Sequence, residues 1–245
     1  MTGAIPSQPV LRAEAPAVKL SVLIPVYNEV GTIAEIIHRV RQIDLQKEIV
    51  VVDDGSTDGT RDVLVRIAPA EDVRVVLHEH NKGKGAAVRT AIRNSSGTIC
   101  VIQDADLEYD PRDYSRLLEP ILDGRADVVY GSRFAGGGAH RVHLYWHALG
   151  NRWLTTLSNM LTNLNLTDME TGYKTVRGDL LRSLDLRSNG FTIEPELTAK
   201  LARTKARFYE VPISYAGRDY AEGKKISWRD GLLAIVAVVW FRFRS

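Results

Sequence analysis

Thr98-Ile99-Cys100-Val101-Ile102-Gln103-Asp104-Ala105-Asp106-Leu107-Glu108 joins a short apolar run to two carboxylates spaced i, i+2. The apolar run reads as a buried strand. The carboxylates fall where that strand ends, and in an open α/β sheet ligands bind at the carboxyl ends of strands. Packing gives no reason for two acids there. A hard divalent cation, Mg²⁺ or Mn²⁺, does: it takes oxygen ligands and often shares them with substrate phosphates. A solvated acidic turn has the same letters, so the surrounding chain decides.

Upstream, Leu20-Ser21-Val22-Leu23-Ile24 predicts a strand, with Pro25-Val26-Tyr27-Asn28-Glu29 as the loop after it. A helix is expected from Thr32, closed by a capping box with Glu35, its inner face Ile33, Ile36, Ile37 and Val40. Ile49-Val50-Val51-Val52 has the β-branched continuity of a strand buried on both faces. It ends in Asp53-Asp54-Gly55-Ser56, and a helix with Val63, Leu64 and Ile67 inward follows. Val73-Arg74-Val75-Val76-Leu77 is a third strand. Asn81-Lys82-Gly83-Lys84-Gly85 then opens a helix carrying Ala87, Val88, Ala91 and Ile92. Beyond the acidic pair, Asp110 and Pro111 start a helix with Leu117, Leu118, Ile121 and Leu122 inward. Val128-Val129-Tyr130 is a strand running into Gly131-Ser132-Arg133.

Five strand–helix alternations predict an α/β fold: a mostly parallel sheet with helices on both faces. Asn28-Glu29, Asp53-Asp54, Lys82 to Gly85, Asp104/Asp106 and Arg133 then share one sheet edge, which makes a nucleotide cleft the default reading. After Arg133 the alternation stops. Gly136-Gly137-Gly138 reads as a joint, residues 143–164 as a long helix, and Thr167 to Val176 as a loop entering a strand. Glu194-Pro195-Glu196 starts a helix, where acids suit the N-terminal dipole, and Phe208 to Ile213 is a strand.

The chain has 245 residues, is 44% hydrophobic and carries a net charge of +2, which fits one sizeable domain and gives no sign of a nucleic-acid partner. Charge is uneven: from Lys200 onward basic residues outnumber acids, which points to an anionic surface or substrate. Cys100 is the only cysteine, so a disulfide framework is excluded within one chain. That fits a reducing compartment. Residues 1–18 read as a disordered leader.

In order, Pro25-Val26-Tyr27-Asn28-Glu29, Asp53-Asp54-Gly55-Ser56, Lys82-Gly83-Lys84-Gly85, Asp104-Ala105-Asp106 and Gly131-Ser132-Arg133 resemble the family-two glycosyltransferases of the GT-A (Rossmann-like) fold. Glu210-Val211-Pro212-Ile213 and the stretch from Arg218 to Asp230 are similar to the dolichol-phosphate mannose synthase branch, the polyprenyl-phosphate glycosyltransferases. The resemblance implies a nucleotide-sugar-binding half over 19–135, an acceptor-side half of the same domain over 136–230, and a C-terminal apolar and basic helix over 231–245. Pro25, Tyr27, Glu29 and Asp53 would hold the base and ribose of the donor, with Asp54, Lys84 and Ala105 on the same side. Asp104 and Asp106 would bracket Mg²⁺ or Mn²⁺ on the diphosphate. Glu108 stands where the family often has a Gln that also meets the metal. Arg133, Arg218 and Lys224 would meet phosphates, chiefly the acceptor's. Many family members carry C-terminal transmembrane helices, and no stretch here reads as one.

The implied activity moves mannose or glucose from GDP-mannose or UDP-glucose to a polyprenyl or dolichyl phosphate with inversion, with Asp106, Arg133 and Arg218 central. Rival readings are a transferase using a sugar or small hydroxyl acceptor and a non-catalytic nucleotide-sugar sensor. A nucleotidyltransferase wants a Gly-rich basic loop where Pro25-Val26-Tyr27-Asn28-Glu29 stands. Lys82-Gly83-Lys84-Gly85 lacks P-loop spacing. His143 and His147 have helical zinc spacing but no evident third ligand. Residues 231–241 would form a helix about 16 Å long, too short for roughly 30 Å of hydrocarbon. It is either a core helix or lies in an interface, with Arg242 and Arg244 toward anionic lipid. The expected location is the cytoplasmic face of a membrane, peripherally bound.

Overall fold

The computed structural model describes residues 19–68, 71–136, 141–142, 144–217 and 228–243. The leader, Gly137 and Gly138, His143, Arg218, Lys224 and Arg244 lie outside the described residues. Seven strands form one sheet: β1 (Leu20–Val26), β2 (Lys47–Asp53), β3 (Val73–Leu77), β4 (Ile99–Ile102), β5 (Val128–Ser132), β6 (Lys174–Arg177) and β7 (Phe208–Pro212). Their order is β3-β2-β1-β4-β6-β5-β7. Every pairing is parallel except those of β6, which runs antiparallel to β4 and β5. The reversed strand wedges between the fourth and fifth strands of the alternating part. The C-terminal ends of six strands and the start of β6 therefore share one edge.

Helices α1 (Ile33–Gln42), α2 (Thr60–Ile67) and α4 (Tyr114–Leu122) cover one face. Helices α3 (Lys84–Arg93), α6 (Gly178–Ser183), α7 (Ile193–Arg203) and α8 (Trp228–Phe243) pack on the other, with α5 (Tyr145–Thr162) beside them. Strands covered on both sides must be apolar throughout, and β1 and β4 are buried along their whole length.

Three local expectations are corrected. Pro25 and Val26 belong to β1, paired with Val52 and Asp53, so the loop begins at Tyr27. The Thr32–Glu35 capping box does not form. Thr32 Oγ1 donates to Glu29 Oε2 at 2.8 Å, and Glu35 instead accepts from Arg39 Nε at 2.7 Å. Leu122 is exposed rather than inward, because it closes the last turn of α4. Asp110 does cap the Pro111 turn, accepting from Arg112 N at 2.9 Å.

Candidate active site

The β1–β2 register pairs Val26 with Asp53, so the chain leaves β1 for Tyr27 to Glu29 beside the Asp53-Asp54 turn. Asn28 N donates to Ser56 Oγ at 2.9 Å, and Thr57 N donates to Asn28 Oδ1 at 2.8 Å, so the two loops are laced together. Asp53 is fully buried. Its Oδ2 accepts from Gly55 N, Ser56 N and Arg61 Nε, while Oδ1 is buried without a partner. A buried acceptor left open is costly, so this oxygen is suited to a ligand donor. Asp54 turns the other way. It accepts from Lys82 N at 3.0 Å and Gly83 N at 2.6 Å and pairs with His78 Nδ1 at 2.7 Å. Neither acid caps α2, whose N-cap is Gly59. Gly55 is required here, with φ at +78° and the His80–Asn81 backbone where a Cβ would stand.

At the end of β4 the buried Ala105 separates the two candidate ligands. Asp106 Oδ1 accepts from Glu108 N at 3.1 Å across Leu107, whose φ is +64°. The Glu108 carboxylate accepts from Tyr215 Oη at 2.8 Å. Asp104 Oδ1 holds Lys84 Nζ at 2.9 Å. Lys84 also reaches Glu194 Oε1 at 3.0 Å, and Glu194 Oε2 takes the fully buried Lys174 at 2.5 Å. Burial disfavours the Lys84 charge, but Asp104 and Glu194 outweigh it and hold its pKa well above the ordinary lysine range. The same lysines hold Glu194 below the usual carboxylate range against its burial. Gly172 roofs Asp104 so closely that a Cβ would sit 2.2 Å from Oδ2. Gln103 accepts hydrogen bonds from Tyr114 and Tyr173, which fixes the strand end carrying the acids.

Arg133, just past β5, is held in a fork by Asp168: Nε to Oδ2 at 2.6 Å and Nη2 to Oδ1 at 2.7 Å. Asn151 of α5 donates to the same carboxylate at 3.1 Å. Glu210 accepts from the backbone of Thr167 and Asp168 and so pins this loop to β7. Burial alone would raise the Asp168 pKa; the Arg133 charge and hydrogen bonds bring it below the ordinary value. The guanidinium lies 5.2 Å over the Tyr215 ring, which links it to Glu108. Asp104, Asp106, Glu108 and Arg133 thus share one neighbourhood, with Lys84 between the acids and Glu194.

Glu170 was not singled out by sequence. Burial and the Glu194 carboxylate push its carboxyl up to about 7, against the pull of Lys174 and Arg133, and its Oε1 is buried without a partner. A value raised above the unfolded one means the protonated form is stabilised. That stabilisation is complete below about pH 4.5 and is lost as pH rises through about 7. Glu170→Gln should therefore flatten the fall in Tm across this window and raise Tm at alkaline pH. Thermal scans with an unchanged pH slope would contradict the assignment.

Sequence reasoning also passed over Lys174 and treated Glu194 and Glu196 as helix-start acids. Both do sit in the first turn of α7. Glu196, however, binds the backbone of Arg187 and Ser188 and the Lys200 ammonium. The available signal was Lys174 at the entry to a strand, since a lysine that a sheet buries demands a carboxylate partner.

This sheet, with one reversed strand and an Asp-x-Asp at the end of its central strand, is a GT-A-like fold. Glucosyl-3-phosphoglycerate synthase from Mycobacterium tuberculosis, solved in complex with Mn²⁺, UDP and glucosyl-3-phosphoglycerate, shares it, with a TM-score of 0.70 at 23% identity over 92% of this chain and 80% of that one. Residues 21–184 match Glycosyl transferase family 2, and the chain belongs to that family: it is a glycosyltransferase. It is 35% identical over 213 residues to the undecaprenyl-phosphate mannosyltransferase of Micrococcus luteus, spanning 82% of this chain and 85% of that protein. The polyprenol monophosphomannose synthase of Mycolicibacterium smegmatis is 32% identical over 217 residues, spanning 85% and 82%.

Proposed function

We propose that this glycosyltransferase moves a hexose, mannose or glucose, from a nucleotide sugar to a polyprenyl phosphate, with inversion and with a divalent cation at Asp104 and Asp106. The observation that carries the acceptor is Arg133, a half-buried guanidinium clamped by the fully buried Asp168 on the same sheet edge as the acidic pair. The named relatives, whose own acceptors are polyprenyl phosphates, support it.

The acidic pair suits Mg²⁺ or Mn²⁺. Its oxygens are hard ligands, and Asp104 already holds the Lys84 ammonium, so the position favours positive charge. The described residues contain no cluster of three His, Cys, Asp or Glu side chains set for a metal. The rest of an oxygen shell would come from the diphosphate, with Glu108 adjoining. When bound, the cation would neutralise charge developing on the leaving diphosphate.

The chain's residues do the rest. Asp53 Oδ1, with Pro25, Tyr27 and Glu29, receives the nucleoside. Lys84, anchored by Glu194, stands beside Asp104 facing the phosphates. Arg133 fixes the acceptor phosphate, and Arg218 and Lys224 add to it. A phosphomonoester has a second pKa of roughly 6, so it is largely ionised at neutral pH and needs no base. Positioning and electrostatics therefore carry the rate, and direct displacement inverts the sugar carbon. A lipid acceptor also requires the protein to meet a bilayer, and no helix among the described residues is long and apolar enough to cross one.

Incubating the protein with native lipid extract and labelled GDP-mannose or UDP-glucose tests this. Label entering the organic phase from one donor supports the reading and names the donor. A hydroxyl acceptor would instead need a base to take its proton. Label moving only to soluble sugars would establish that alternative.

A further inference from the structure

Two adjacent helices turn aromatic sides outward. On α5, Trp146, Leu149, Trp153 and Met160 recur at helical spacing and all are exposed, Trp146 at 77% and Trp153 at 59%. Helix α8 packs against α5 and α7, burying Ala234, Ala237 and Val238 on its inner side. Its outer side shows Trp240 at 49% and Phe243 at 75%. The chain has four tryptophans, Trp146, Trp153, Trp228 and Trp240, and all lie on these two helices. Residues 133–167 contain no Asp or Glu, while Arg152 on α5 and Arg242 on α8 are exposed. Exposed apolar patches of this kind mark interaction surfaces.

The geometry points to the outer sides of α5 and α8 as the surface that docks on a bilayer containing anionic lipid, with α5 as its larger part. This deepens the lipid-acceptor reading and rests on it. Tryptophan favours the headgroup boundary, where its ring is apolar and its N–H stays wet. Arginines beside it meet anionic headgroups. A second copy of the chain fits less well. A two-fold dimer would set this patch against itself, and on α5 it would bring Arg152 toward Arg152 with no acid to pair.

The inner side of α5 ties this surface to the site. Asn159 clasps the Leu166 backbone through both its N–H and its carbonyl. Thr155 Oγ1 accepts from Met169 N at 3.1 Å, and Asn151 donates to Asp168, the partner of Arg133. One helix would thus touch lipid on one side and brace the acceptor-side arginine on the other.

The test uses the full chain, with no donor or acceptor present, and vesicles of phosphatidylcholine alone or mixed with phosphatidylglycerol. Because α8 also buries core residues, side-chain variants are preferable to truncation. The parent should sediment with the mixed vesicles, release in salt and shift its tryptophan emission to the blue. Trp146→Ser with Trp153→Ser should lower vesicle partitioning roughly tenfold or more, with an unchanged circular dichroism spectrum. Met160→Glu, at the far end of the stripe, should weaken it independently. Transfer to a short, water-soluble prenyl phosphate should be unaffected in both. Variants that sediment as well as the parent overturn the docking surface. So does a parent that ignores vesicles and elutes as a dimer that these substitutions dissociate. If vesicles bind but no prenyl phosphate accepts sugar, the acceptor reading falls and the docking surface stands.

Discussion

Asp106→Asn will leave the protein folded and lower sugar transfer by about a thousandfold or more, the scale expected when charge stabilisation at a leaving group is removed. Asn keeps the shape of the side chain and its acceptor oxygen, so the hydrogen bond from Glu108 N can persist. Only the negative charge is lost. Asp104 cannot compensate, because one of its oxygens already holds Lys84. Transfer should likewise vanish in chelator and return with Mg²⁺ or Mn²⁺. Full turnover in chelator, or an Asp106→Asn variant as active as its parent, would remove the metal from the account.

Arg133→Ala will lose transfer by about a hundredfold or more while donor affinity, read by calorimetry with nucleotide sugar alone, changes little. It will also destabilise the protein, because Asp168 is left as a buried charge without its partner. Breaking a buried pair costs about 3–5 kcal/mol, which for a chain of this size lowers Tm by roughly 10 °C. Arg133→Lys separates the two effects. It keeps a positive charge near Asp168 but not the planar fork, so it should recover most of the stability and little of the transfer. If donor binding collapses in either variant, the arginine serves the diphosphate and the acceptor assignment is wrong.

The alternating half of the fold was legible because strands buried on both faces leave an unmistakable mark. Ile49 to Val52 and Ile99 to Ile102 are apolar with no period, and each ends in acids. The reversed strand was not legible as such. Thr167 to Val176 reads as a loop entering a strand, but nothing local sets that strand's direction or its place between β4 and β5. The acidic pair and Arg133 were visible as polar residues at strand ends. The partners of Arg133 were not, because Asp168 and Tyr215 reach it across long stretches of chain, and neither was Glu194, which reaches Lys84 in the same way. The N-terminus of α1 shows the same limit at short range. Thr32 and Glu35 have capping-box spacing, yet Glu29 lies nearer and takes the hydroxyl.

Residues 231–241 were apolar on all sides in sequence, and the core reading of them holds for one side of the helix. The helix is longer than that stretch, 16 residues or about 24 Å, still short of roughly 30 Å of hydrocarbon. One side is core and the other is exposed. Sequence could not assign the sides, because a helix without polar residues has no periodicity to read.

The central claim is that a phosphomonoester on a lipid is the nucleophile, and paired acceptors test it most directly. Purified protein, labelled donor and Mg²⁺ are incubated in detergent with polyprenyl phosphate or with the matching free polyprenol. The account predicts label in the organic phase with the phosphate only, the sugar inverted, and little transfer by Arg133→Lys. Equal labelling of the free polyprenol, or labelling of neither lipid while a soluble sugar accepts, would contradict it.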